Sequence, residues 1–262
     1  WIRSAQDDSI TRPIMMKFDI LTIFPGMFAG PFAESIIKRA VDAGLASVHA
    51  HDLRAWATDK HKITDDYPYG GGPGMVMKVE PLARAIQSLR ENNPGAPVAL
   101  LTPQGKLMSQ AIARDLVGYP GLILVCGRYE GVDERVRQHY CDMEISIGDF
   151  VLTGGEIPAM AVVDAVLRLI PGALGGEEST TEESHSAGLL EYPQYTRPAE
   201  FEGHSAPEVL LSGHRAKIEE WRRRESIIRT AQRRPDMIEK GGLEGEDLKL
   251  ALDVIRKAQE GK

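Results

Sequence analysis

The chain has 262 residues, 42% of them hydrophobic, enough to bury a sizeable core and to divide into one large domain and a smaller one. Its formal net charge of -7 excludes a protein that coats nucleic acid indiscriminately, while leaving room for a local basic surface. The longest apolar stretch, residues 157–170, contains Asp164 and Arg168 and is too short to cross a bilayer, so no membrane role is expected.

Residues 1–15 include Asp7 and Asp8 and lack an apolar core, so they are expected to be an extension ahead of the fold rather than a secretory signal. Residue 1 is Trp, which makes Met15 or Met16 the expected natural start. Residues 17–24 (KFDILTIF) form a β-branched and aromatic run closed by Pro25 and Gly26, predicting a buried strand that enters a loop. His49 and His51 share one face of another expected strand, as two zinc ligands would. With no third ligand nearby, they are read as ordinary strand histidines and no metal site is assigned. Residues 96–101 and 121–126 are compact apolar runs separated by a helix-like stretch, 109–117, the alternation of a parallel α/β sheet. Residues 149–158 (DFVLTGGEIP) turn through two glycines into a helix expected to open at Pro158 and reach about Leu169. Cys126 and Cys141 form neither a CxxC pair nor a disulfide framework, which fits a cytoplasmic location.

Residues 172–188 (GALGGEESTTEESHSAG) are too polar to bury much surface and read as a flexible interdomain linker. From about Pro207 the pattern becomes helical, with Ile218, Trp221 and Ile228 at helical spacing and a last helix over 246–259. The expected organisation is an extension (1–15), an α/β domain (16–175), a linker (176–190) and a small, mainly helical domain (191–262).

Three loops invite a ligand. Residues 65–75 (DDYPYGGGPGM) let backbone approach closely, but no Gly-Lys-Ser/Thr ending follows, which disfavours a nucleotide-triphosphate enzyme. Residues 127–135 (GRYEGVDER) follow the strand 121–126, at the carboxyl edge where open α/β sheets bind ligands; a charged turn is the plainer alternative. Residues 146–158 (SIGDFVLTGGEIP) occupy the next such edge without a GxGxxG, so an ordinary dinucleotide site is unsupported. Farther on, Arg215, Arg222, Arg229 and Arg233 recur at seven, seven and four, forming one helical stripe able to track phosphates, or else a solvated face.

Together DKHK (59–62), YGGGPGM (69–75), LTPQG (101–105), LVCGRYEGVDER (124–135), SIGDFVLTGGE (146–156) and YPQYTRP (192–198) resemble the bacterial tRNA (guanine-N1)-methyltransferase family, of the SPOUT class. The resemblance spans about residues 16–261, with the motifs in family order. It implies a SPOUT fold: a parallel sheet with a deep trefoil knot in the carboxyl half of the first domain, followed by the small helical domain. It also implies transfer of a methyl group from S-adenosylmethionine to N1 of guanosine 37 of tRNA, just 3′ of the anticodon. By the family's pattern the cofactor contacts fall on Leu101, Thr102, Pro103, Gly127, Tyr129, Glu130 and Gly131, then on Ile147, Gly148, Leu152, Gly154, Gly155 and Pro158.

Guanine N1 carries a proton at neutral pH, so its methylation needs a base, and matching the linker motif puts Glu183 where the family has Asp. Glu keeps the chemistry but adds a methylene; from spacing alone Glu183 is one more solvated charge beside Glu177, Glu178 and Glu182. Arg168 holds the family position that stabilises charge developing on guanine O6, and is equally what a helix carboxyl end attracts. The resemblance further implies tRNA as partner, magnesium as an aid to catalysis, and a homodimer whose sites combine the knot of one subunit with the linker and second domain of the other. No dedicated carboxylate cage for magnesium is visible in the sequence. The rival from another class is a noncatalytic RNA-binding protein that retains the fold, and the Glu183 replacement is its only support.

Overall fold

The computed structural model of the chain describes residues 15–174, 183–185 and 188–260. The expected extension, Met15 aside, and residues 176–182, 186 and 187 of the expected linker lie outside the described residues. The chain divides into two compact units, Trp1–Gly175 and Gly176–Lys262.

The strands of the first unit are β1 (Met16–Thr22), β2 (Ala46–Asp52), the short β3 (Asp65–Asp66) and β4 (Val76–Met77), β5 (Val98–Leu107), β6 (Gly121–Cys126) and β7 (Met143–Ser146). Its helices are α1 (Ser35–Asp42), α2 (Val79–Asn92), α3 (Gln110–Val117), α4 (Glu134–Tyr140) and α5 (Glu156–Leu167). Five strands form a parallel sheet in the order β2-β1-β6-β5-β7, so the chain leaves β6 and crosses to the far side of β5 before laying down β7. A parallel sheet of this kind is covered on both faces, which is why β6 (GLILVC) is buried at all six positions instead of alternating.

Alternate residues feed two cores. Phe18, Ile20, Leu122, Leu124 and Cys126 pack against Ile37 of α1, Leu116 of α3 and Val162, Val163 and Val166 of α5. Leu21, Ile123, Val125, Val98 and Leu100 face the other way, onto Leu82, Ile86 and Leu89 of α2 and Val136 of α4. One carboxylate lies between the layers. Asp19, 0% exposed, accepts from His51 Nε2 at 2.7 Å and Asn93 Nδ2 at 3.0 Å, with Lys17 Nζ 3.3 Å away. Burial alone raises the Asp19 pKa, but the His51 and Asn93 hydrogen bonds and the Lys17 charge outweigh it and hold the carboxyl below its ordinary value. His51 is thereby tied through Nε2 to the buried carboxylate of β1.

The elements differ from expectation at their ends. The first strand stops at Thr22, because Phe24 caps a single 3-10 turn over Pro25–Phe28. The strand beginning near residue 96 continues through TPQG to Leu107, pairing with β7 on both sides of a register break between Leu101 and Lys106. Gly105 allows this: a β-carbon there would collide with the backbone of Ile145. Helix α3 takes Ser109 as its N-cap, the hydroxyl accepting from Ile112 N at 3.3 Å. Helix α5 opens at Glu156, two residues before Pro158, and ends at Leu167 with Arg168 as C-cap.

The described part of the second unit contains a hairpin, β8 (Glu200–Phe201) and β9 (His204–Ser205), and four helices, α6 (Glu208–Leu211), α7 (Arg215–Arg233), α8 (Pro235–Lys240) and α9 (Gly245–Glu260). Glu202 and Gly203, with φ of 50° and 80°, make the two-residue turn that suits the strands' twist. Its small core joins Leu189, Ile227, Ala231, Ile238 and Ala251. Helix α7 therefore buries Ile227, Thr230 and Ala231, a different face from the expected Ile218, Trp221 and Ile228, which are only half-buried. Trp221 instead lies 6.4 Å from the Tyr195 ring.

Candidate functional site

A cavity of about 310 Å³ opens between the middle of β5 and the carboxyl ends of β6 and β7. It is the edge at which parallel sheets collect ligands, since the ends of β6 and β7 release two loops side by side there, against the irregular middle of β5. All thirteen residues expected to touch a cofactor line it: Leu101, Thr102 and Pro103 within β5; Gly127, Tyr129, Glu130 and Gly131 after β6; Ile147, Gly148, Leu152, Gly154, Gly155 and Pro158 after β7. Phe150, Val151 and Thr153 line it as well.

The loops are tied to each other through backbone. Gly155 N–H donates to Gly127 O at 2.9 Å, and Arg128 and Gly154 form an antiparallel bridge. A β-carbon on Gly155 would stand 2.7 Å from Cys126 Cα, so this glycine is required by the close crossing of two backbone segments. The glycine-rich loop 69–75 joins the same assembly. Glu130 N–H donates to Met75 O at 3.0 Å, and Met77 N–H donates to Gly131 O at 3.0 Å. Tyr129, at φ of 60°, bonds Asp65, and burial together with the Asp65 charge and hydrogen bond raises its phenol pKa.

Charged groups line the rim. Arg137 Nη1 donates to Glu144 Oε1 at 3.1 Å and the same guanidinium pairs with Glu134, while Glu130 stands on the neighbouring loop. Arg128 turns from the rim into the protein, where its Nε lies 3.0 Å from Glu156 Oε2. Sequence reasoning missed Glu144 and Glu156, whose partners come from other elements, and Arg137, whose i,i+3 pairing with Glu134 within α4 gives no hint of its second partner Glu144. Cys126 is fully buried, and burial with the Glu156 charge pushes its thiol pKa well up. Burial and the charges of Glu144 and Asp142 push Cys141 up to about 12.

Arg168 belongs to the first unit, as the half-buried C-cap of α5 with its N–H on Asp164 O at 3.2 Å. Glu183 belongs to the second and is half-buried. Its neighbours are anchored there: Ser184 Oγ accepts from Glu191 N–H at 3.0 Å and His185 N–H donates to Leu189 O at 2.8 Å. Of the basic stripe on α7, Arg215 and Arg233 are exposed and Arg215 pairs with Glu219 at 2.8 Å. Arg222 stacks over Tyr192 at 4.7 Å, and Arg229 Nη1 reaches Glu191 O at 3.5 Å. The YPQYTRP motif is thus laid along α7 and held by the middle of the stripe. Among the described residues no helix is long and apolar enough to cross a membrane, and no three His, Cys, Asp or Glu side chains gather as a metal site.

Residues 16–240 match the family model described as tRNA (Guanine-1)-methyltransferase TrmD. Relatives named tRNA (guanine-N(1)-)-methyltransferase include one from Syntrophotalea carbinolica, 56% identical over 94% of this chain and 100% of its own length. Another from Chloroflexus aggregans is 60% identical over 92% of this chain and 94% of its own. A third, from Geotalea uraniireducens, is 56% identical over 93% of this chain and 98% of its own. With a cavity bounded by the family's motifs and a family match over most of its length, this chain belongs to the tRNA (guanine-N1)-methyltransferase family.

Proposed function

We propose that this protein transfers a methyl group from S-adenosylmethionine to N1 of guanosine 37 in tRNA. The observation that carries the reading is the coincidence of one cavity with all thirteen expected cofactor residues, in a chain of this family. The residues present fit the methyl donor. Leu101, Ile147 and Leu152 offer apolar walls for an adenine ring, and the glycine backbones offer hydrogen-bonding edges. The carboxylates of Glu130 and Glu144 suit a ligand that carries a sulfonium and an ammonium. When bound, S-adenosylmethionine supplies an electrophilic methyl group on a positively charged sulfur.

In this reading Glu183 accepts the N1 proton of guanine, and Arg168 donates to O6 as negative charge builds there. Glu is longer than the family's Asp by one methylene, and the anchoring of Ser184 and His185 to the second unit supports a defined position for the carboxylate. The proposed reading includes the trefoil knot, which the crossing of β7 past β5 and the close approach of Gly155 to Cys126 support. It includes a cytoplasmic homodimer with sites shared between subunits, a methyltransferase domain over 16–175, and a tRNA-binding domain over 191–262 that uses Arg215, Arg222, Arg229 and Arg233. Magnesium enters as an assisting ion, with no dedicated protein cage among the described residues.

The test is methyl transfer from labelled S-adenosylmethionine to unmodified tRNA, with the product nucleoside identified. The expected product is 1-methylguanosine next to the anticodon. Tight tRNA binding with no methyl incorporation overturns this reading in favour of a noncatalytic RNA-binding protein.

A further inference from the structure

Glu156 is 1% exposed, at the first position of α5, in an otherwise apolar layer. A carboxylate removed from water is costly unless its oxygens are met by strong donors, and here each oxygen has one. Thr22 Oγ1 donates to Oε1 at 2.8 Å, and Arg128 Nε donates to Oε2 at 3.0 Å. Arg128 is confined on its other sides too: its guanidinium lies over the Phe24 ring at 4.6 Å, and Nη2 stands 3.5 Å from Met27 Sδ. The same arginine sits between Gly127 and Tyr129 in the cavity lining, and its backbone bridges to Gly154 in the opposite wall. Space around that bridge is fully used, since a β-carbon on Gly154 would meet both the Arg128 side chain and Glu156 Oε2.

From this geometry we infer that Glu156 is a positioning residue for the methyl donor. It holds Arg128, and through Arg128 it sets the separation between the 127–131 loop and the 147–155 loop. Thr22 fixes the carboxylate from the end of β1, so three strand ends are referred to one buried group. The inference rests on the reading of the cavity as the S-adenosylmethionine site. Its sign follows from preorganisation: a looser Arg128 leaves the two walls free to drift, which weakens ligand binding without removing any group that touches the reacting atoms.

The test is calorimetry with S-adenosylmethionine on the full chain, for wild type, Glu156→Gln, Arg128→Met and the double variant, paired with steady-state kinetics. Glu156→Gln is expected to weaken binding about tenfold, the lower end of what supporting partners of a binding group contribute. The KM for S-adenosylmethionine should rise in step, with kcat at saturation within about twofold of wild type. The double variant should be no weaker than the weaker single variant, because both act through one pair. Unchanged affinity in folded Glu156→Gln, or effects that multiply in the double variant, overturns the inference. A merely structural role would lower Tm and leave both affinity and KM alone. If Glu156→Gln does not fold, Thr22→Val carries the test, with weakened binding expected and unchanged affinity overturning the inference. A wild-type chain that binds no S-adenosylmethionine overturns the functional reading, and this inference with it.

Discussion

The basic stripe on α7 has exposed ends, Arg215 beside Glu219 and Arg233, and a half-buried middle that holds the preceding segment, so its residues are expected to respond differently to neutralisation. Arg215 and Arg233 are exposed, and on a helix rising about 1.5 Å per residue they stand about 27 Å apart. If each meets a phosphate, replacing both with Gln removes two charges from the contact. Each phosphate contact contributes about 0.7 (single strand) to 0.9 (duplex) to the slope of log affinity against log salt, so the double variant should lose about 1.4 to 1.8. Between 50 and 200 mM salt, its affinity should then fall about tenfold less than that of wild type. Arg222 and Arg229 have a second task, since they also hold Tyr192 and the Glu191 carbonyl. Replacing Arg222 with Gln should lower the stability of the second unit by about 0.5 to 2 kcal/mol through the lost cation–π contact. Filter binding of tRNA over a salt series measures the first effect and urea unfolding the second, with S-adenosylmethionine affinity as a control expected not to move. An unchanged slope in Arg215→Gln/Arg233→Gln would refute the assignment of the stripe's ends to phosphates. Unaltered stability in Arg222→Gln would refute the part assigned to Arg222 in holding Tyr192.

Glu183→Gln should keep S-adenosylmethionine affinity and slow methyl transfer about a hundredfold or more, with Glu183→Asp still active; a near-normal single-turnover rate for the Gln variant removes Glu183 from the chemistry. Because the Asp19 carboxyl titrates below its unfolded value, its stabilisation is complete above the ordinary carboxylate range and drains away as pH falls through the folded value. Asp19→Asn should therefore cost about 1 to 3 kcal/mol at neutral pH and flatten the loss of stability below about pH 4, and an identical penalty at all pH values would contradict this. Both thiols should resist a disulfide reagent at pH 8 in the native state and react on unfolding, since Cys126 is raised well above its ordinary value and Cys141 to about 12. Rapid modification of folded protein would contradict the full burial of Cys126 or the raised thiol of the half-buried Cys141.

The site was more legible in the sequence than the fold around it. Glycine-rich loops after apolar runs survive as written patterns, and the residues 127–131 and 147–158 meet at one cavity because consecutive parallel strands end at the same edge. Strand β6 was readable because burial on both faces leaves an unbroken apolar run. The extension of β5 was not, since TPQG carries turn residues and only pairing with β7 makes it a strand. Helix α7 was seen but rotated: Trp221 and Ile218 look like core residues, yet Ile227 and Ala231 face α9. Asp19 and Glu156 are invisible as buried charges in one dimension, because the partners that make burial tolerable, His51, Asn93, Thr22 and Arg128, come from other elements.

The route of the chain past β5 also orders events during synthesis. A growing chain that has emerged only as far as Cys126 can pair β1, β2, β5 and β6, but one long edge of β5 then has no neighbour, and an unpaired edge invites association with other chains. At about 5 to 20 residues per second the ribosome needs about 2 to 6 s to add the stretch from Cys126 to Pro158, which supplies β7 and the third wall of the cavity. No ligand of that cavity can stabilise the nascent protein before this interval ends, because the linkage that lets a ligand favour the folded state requires a completed site. The vulnerable period in the life of the molecule is thus set by the position of β7 in the gene, and a pause in translation within that window is expected to raise aggregation more than a pause of equal length after Leu167.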